Sequence, residues 1–145
     1  MRTKHCPHCG CDLDLDERST EAHRHYFACI NEAWNNWPEG LKRYADPEDL
    51  RAAALIESGW CDTTEMTLAS PLEAARLAYE LRRQKARSRV TVEGRHLVWR
   101  VPVSQSLEKM GKRRFARSKS DVLDWLALQL GIPSEDLKEA GRRAA

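Results

Sequence analysis

Residues 89–103 read Arg-Val-Thr-Val-Glu-Gly-Arg-His-Leu-Val-Trp-Arg-Val-Pro-Val, and this stretch decides the fold class. Val90 and Val92 alternate with polar neighbours, and so do Leu97, Trp99, Val101 and Val103. Period two is the signature of a strand with one buried face. Glu93-Gly94-Arg95 between the two runs has turn chemistry, so the segment is expected to be a β-hairpin.

On both sides of the hairpin the period is helical. A first helix is expected over residues 20–37, where Phe27, Ile30, Trp34 and Trp37 recur at spacings of three and four, and Pro38 and Gly40 end it. The second has Asp46 as cap, Pro47 at its first position and Gly59 at its exit. Residues 60–68, WCDTTEMTL, read as irregular or a short strand. The third helix opens with the capping box Ser70-Pro71-Leu72-Glu73. It carries Leu72, Ala75, Leu77, Tyr79 and Leu81, and runs out toward Lys85. A last long helix within 111–130 puts Phe115, Val122, Leu126 and Leu130 on one face and stops at Gly131, before a short helical turn over 133–140. The class is therefore α+β, mostly helical: one domain over 19–145 with an N-terminal zinc-knuckle extension over 1–18.

With 145 residues, 41% of them apolar, the chain is large enough for one core and too short for two. No apolar run nears the ~20 residues of a spanning helix, and MRTKHCPHCG lacks the apolar centre of a signal peptide. Neither a membrane partner nor secretion is expected, and the chain is placed in the cytoplasm, where thiols stay reduced.

That compartment bears on the cysteines. There are five, and Cys6, Cys9 and Cys11 crowd the first eleven residues. Cys6-Pro7-His8-Cys9-Gly10 has the form of a zinc knuckle: a CxxC turn sets two sulfurs on one tetrahedral ion. His25 and Cys29, four residues apart on the first helix, can complete a closed Cys₃His site for a structural Zn²⁺. His23 is an alternative imidazole and Cys11 an alternative thiolate. Against this, Cys29 sits among apolar residues and can be plain core. A redox CxxC is disfavoured because no βαβ pattern surrounds it.

The net charge is only +2, but it is unevenly spread. Residues 82–119 hold thirteen Lys/Arg and two Glu, a local +11 that leaves −9 for the rest. Arg82, Arg83, Lys85, Arg87 and Arg89 leave the third helix for the hairpin, where Arg95 and Arg100 follow. Lys112, Arg113, Arg114, Arg117 and Lys119 ride the start of the last long helix. Such an asymmetry favours an acidic partner, nucleic acid first. Cations at a helix N-terminus oppose its dipole, which suggests that they are held for an anion. The plainer reading is a solvated charged face. Tyr79 and Trp99 are the aromatic candidates for base stacking, but both follow the inward pattern.

Catalysis is not expected. The carboxylates lie mostly in the leader (Asp12, Asp14, Asp16, Glu17) and at helix starts, and outside the N-terminal cluster His96 is the lone histidine. No phosphate loop, dinucleotide fingerprint or nucleophile elbow is present.

The segment Glu21–Ile30, with Arg24 before Tyr26-Phe27-Ala28, continuing to Trp34 and Trp37-Pro38-Glu39, resembles a helix of the NinB (Orf) recombination-protein family of lambda-type bacteriophages and of related uncharacterised phage proteins. Leu50-Arg51 and Leu55-Ile56-Glu57-Ser58-Gly59-Trp60-Cys61-Asp62 resemble its second helix and Gly-aromatic exit. Val101 through Ser106-Leu107-Glu108-Lys109-Met110 resembles its strand and Ser-x-x-Lys-Met segment, and Phe115 to Leu130 its last helix. The likeness is scattered over residues 20–131. It implies a homodimeric recombination mediator that helps load a host recombinase on single-stranded DNA beside the host single-strand-binding protein. The cysteine-rich leader departs from the family. Relatives without a knuckle can also carry a cysteine at the Cys29 position, which favours His23 and His25 as ligands. The competing expectation is a protein–protein module that redirects or inhibits a host protein.

Overall fold

A computed structural model describes residues 13–84 and 87–145, with side chains from Glu21 onward. Its elements are α1 (Leu13–Asn35), α2 (Pro47–Glu57), β1 (Cys61–Thr67), α3 (Pro71–Gln84), β2 (Arg89–Glu93), β3 (His96–Pro102), α4 (Leu107–Met110), α5 (Lys112–Leu130) and α6 (Ser134–Ala144). Among the described residues no helix is long and apolar enough to cross a membrane.

The mixed, mostly helical class is as expected, but the sheet is larger than a hairpin. β2 and β3 pair antiparallel around Gly94, which takes a positive φ of 61°. β1 adds to the far side of β3 in a seven-residue antiparallel register, Cys61 opposite Pro102 and Thr67 opposite His96. The order β1-β3-β2 makes β3 the central strand.

One face of the sheet meets α3. Ala78 and Leu81 pack on Val90 and Leu97, with Met66, Leu77 and Trp99 around them. The buried stripe of α3 is Ala74, Ala78 and Leu81, at spacings of four and three. Leu72 and Tyr79, expected to face inward, are each 61% exposed. The apolar set read from the sequence had mixed two faces of this helix.

The larger core lies among α1, α2, α5 and α6, where Tyr26, Cys29, Ile30, Leu50, Leu55, Val122, Leu126 and Leu137 are buried together. α2 begins as expected, with the Asp46 carboxylate accepting from the Asp49 N–H at 2.8 Å and Pro47 in the first turn. Two boundaries differ. α1 starts at Leu13, inside the segment assigned to the leader, where an acidic run suits a helix N-terminus. α6 runs to Ala144, because it docks along α1 instead of standing as an isolated turn.

A partly buried polar network fixes the loop between β3 and α4. Gln105 Oε1 accepts from Tyr26 Oη at 2.7 Å and from Arg51 Nη1 at 2.9 Å. Gln105 Nε2 donates to Ser118 Oγ at 2.9 Å, and Ser118 donates to the Phe115 carbonyl at 2.8 Å. One amide thus ties α1, α2 and α5 to the loop. Burial pushes the Tyr26 phenol up to about 12, so it stays protonated and keeps donating.

Candidate nucleic-acid interface

The basic stretch divides into two halves with different surroundings. In the half around α3 and β2 the cations are occupied. Arg82 Nη2 donates to the Val90 carbonyl at 2.9 Å, and Arg83 pairs with Glu80 at 3.3 Å. Arg87 bridges Asp49 at 3.0 Å and Asp46 at 3.8 Å, and Arg89 pairs with Glu57. Lys85 lies outside the described residues. A guanidinium already facing a carboxylate has less to offer a phosphate, and the Arg87 and Arg89 pairs clamp the start of β2 to α2.

The half on α5 is different. Lys112, Arg113, Arg114 and Arg117 are exposed, and among the described residues none forms an ion pair with a carboxylate. The helix begins at Gly111 (φ 78°), with no side-chain cap and no acidic residue in its first turn. Arg113 and Arg117 share a face, four residues apart. Arg114 lies 5.6 Å over the Trp60 ring, whose Nε1 donates to Asp121 at 2.8 Å. Four cations thus gather where the dipole is also positive, an arrangement that an anion relieves.

Beside this surface lies a groove of about 840 Å³ between α1, the loop around Gln105, the start of α5 and the end of α6, where Ala144 and Ala145 line it. Its wall is aromatic and apolar: His23, Phe27, Leu107 and Phe115, with Arg24 at the rim. The His23 ring stacks on Phe115 at 5.7 Å and 17°, and meets Phe27 edge-on at 4.7 Å and 78°. Cations back the aromatics. Lys119 Nζ is 4.4 Å from the Phe115 centroid, and the Arg51 guanidinium is 5.5 Å from that of Phe27. Burial, then the Lys119 and Arg51 charges, lower the His23 pKa, so the ring is held neutral in a positive field. Burial also lowers the Lys119 pKa.

The other sequence-derived candidates sit elsewhere. Trp99 packs in the α3–sheet core and Tyr79 lies exposed beside Arg83, its ring centroid 5.8 Å from the guanidinium. Cys6 and Cys9 lie outside the described residues. His25 and Cys29 do lie together, with Nε2 and Sγ 3.5 Å apart. His25 Nε2 lies 2.8 Å from the Lys138 carbonyl and donates to it, which leaves Nδ1 as the ring nitrogen with a free lone pair. Cys29 is fully buried, and burial pushes its thiol up to about 11. Among the described residues no group of three or more His, Cys, Asp or Glu is placed to hold a metal ion.

His25 and Cys29 pack at the seam between α1 and α6. For a Cys29 that also ligates zinc, the expected result for Cys29→Ala is a lower metal-to-protein ratio by elemental analysis of the purified protein, with stability lowered by at least about 1 kcal/mol. An unchanged ratio would remove Cys29 from the metal site and leave it as core.

Arg24, His23 and Phe27 enter the interface without having been singled out as nucleic-acid contacts from the sequence. The signal was present in part, as cations and aromatics interleaved over 23–27. No family model matches the chain, and comparisons with curated proteins and with solved structures give no match either.

Proposed function

We propose that the protein binds single-stranded DNA through the first two turns of α5 and acts by binding, as an accessory factor in recombination. One observation carries the reading: Lys112, Arg113, Arg114 and Arg117 crowd an uncapped helix start with no carboxylate partner among the described residues. Such a cluster costs stability through mutual repulsion and the dipole, and phosphates offset both. The recombination role, an association with the host single-strand-binding protein and a homodimeric state rest on the resemblance of residues 20–131 to the NinB family. A structural Zn²⁺ held by Cys6, Cys9 and Cys29 with His25 or His23 stays part of the proposal, on the spacing of those residues in the sequence.

The test is fluorescence anisotropy of a labelled single strand at two salt concentrations. With four phosphates neutralised, log K is expected to fall against log salt with a slope of about −3. Between 50 and 200 mM salt that is a loss of roughly 50-fold. Absence of binding at low salt would overturn the proposal and leave an acidic protein as the partner for the same cations.

A further inference from the structure

We infer that the groove between α1 and the start of α5 receives one unpaired base of the bound strand. The inference rests on the single-strand binding proposed above and adds the part of the ligand that the groove takes.

Three observations converge on a base. The wall is the right chemistry, because the partly exposed His23 and Phe27 rings give π surface, backed by the buried Phe115, and Leu107 gives apolar surface; bases of any identity stack on such walls. The size is right too: about 840 Å³ lies within the range of small-molecule sites and accommodates a base with its sugar. The third observation is charge. Arg24 stands at the rim, while Arg51 and Lys119 lie behind the aromatics, so the field in the groove favours a ligand that arrives with a phosphate.

Position strengthens the case. Phe115 and Lys112 lie in the first turn of α5 on neighbouring faces, so a strand whose phosphate meets Lys112 lies beside the mouth of the groove, while Arg113 and Arg117 project from the far face of the helix. Bases inside a duplex are stacked and paired and cannot enter without being extruded. The groove thus gives a physical reason for preferring a single strand, which the cations alone do not supply.

Both strands in the test carry the same charge. Affinity is measured for oligothymidine of about 15 nucleotides and for an abasic phosphodeoxyribose strand of equal length. The abasic strand is expected to bind about tenfold more weakly with the same salt slope. Ala28 lines the groove and is only partly buried, so Ala28→Leu fills the groove without entering the core. This variant is expected to bind oligothymidine no better than the parent binds the abasic strand. Equal affinity of the parent for the two strands would overturn the base-pocket inference and leave the cationic surface standing. Unchanged oligothymidine binding by a folded Ala28→Leu protein would overturn it equally. If neither strand binds at low salt, the single-strand reading itself fails.

Discussion

Replacing Gly141 by alanine is expected to lower stability by about 2 kcal/mol, a fall in Tm of roughly 6 °C. The sign is not obvious, since alanine in a helix interior is ordinarily better than glycine by about 1 kcal/mol. Packing reverses it. A Cβ on Gly141 would overlap Cys29 Sγ, and it would lie 3.1 Å from the Cys29 backbone nitrogen and 3.3 Å from its Cα. Cys29 is fully buried and has one side-chain torsion, so its sulfur has little room to retreat. The α1 and α6 backbones must then part along a contact that also includes the His25–Lys138 hydrogen bond. Overpacking of this kind costs up to about 3 kcal/mol, which outweighs the propensity gain. A thermal or urea titration measures the change, and a double-mutant cycle locates its origin. In a Cys29→Ala background the cost of Gly141→Ala is expected to fall below about 1 kcal/mol, because the sulfur it strikes is gone. An equal cost in both backgrounds would mean that the sulfur is not what opposes the methyl group.

Gly141 also illustrates what local sequence can and cannot reveal. Residues whose structure depends on near neighbours were readable: the Asp46-Pro47 start of α2, the turn at Gly94 and the antiparallel pairing of β2 with β3, although Val92, expected inward, is exposed. Elements that exist because of distant partners were readable only in part. β1 offers Met66 as its one large apolar side chain, and forms by pairing with β3, which follows much later in the chain. α6 has Leu137 and Gly141 as its buried residues, and its length follows from docking on α1. The same division runs through the interface. The cations could be counted from sequence, but Asp46, Asp49 and Glu57, which neutralise Arg87 and Arg89, lie more than thirty residues before them. The groove joins His23 and Phe27 to a phenylalanine about ninety residues away. No periodicity encodes that meeting.

Because the two halves of the basic stretch differ in this way, charge reversal separates them. Arg113→Glu with Arg117→Glu is expected to weaken single-strand binding on the order of 100-fold at moderate salt, and to reduce the salt slope by about half. Two of four phosphate contacts are lost, and the new carboxylates repel the strand. Folding should respond in the opposite direction. A carboxylate at position 113 would stand in the first turn of α5, where a negative charge suits the dipole and no acidic residue stands now. The variant is therefore expected to unfold at the same temperature or slightly higher, by up to about 0.5 kcal/mol of added stability. Lost binding with retained stability cannot be attributed to misfolding. The comparison variant is Arg83→Glu with Arg87→Glu. These residues face Glu80, Asp46 and Asp49, so reversing them sets like charges together and lowers stability by roughly 1–2 kcal/mol. Its loss of DNA affinity is expected to be severalfold, well below that of the α5 variant. If the order were reversed, with the α3–β2 variant losing more affinity, the strand would lie across the hairpin instead. The ion pairs there would then have to open on binding, and α5 would be an exposed but idle cationic face.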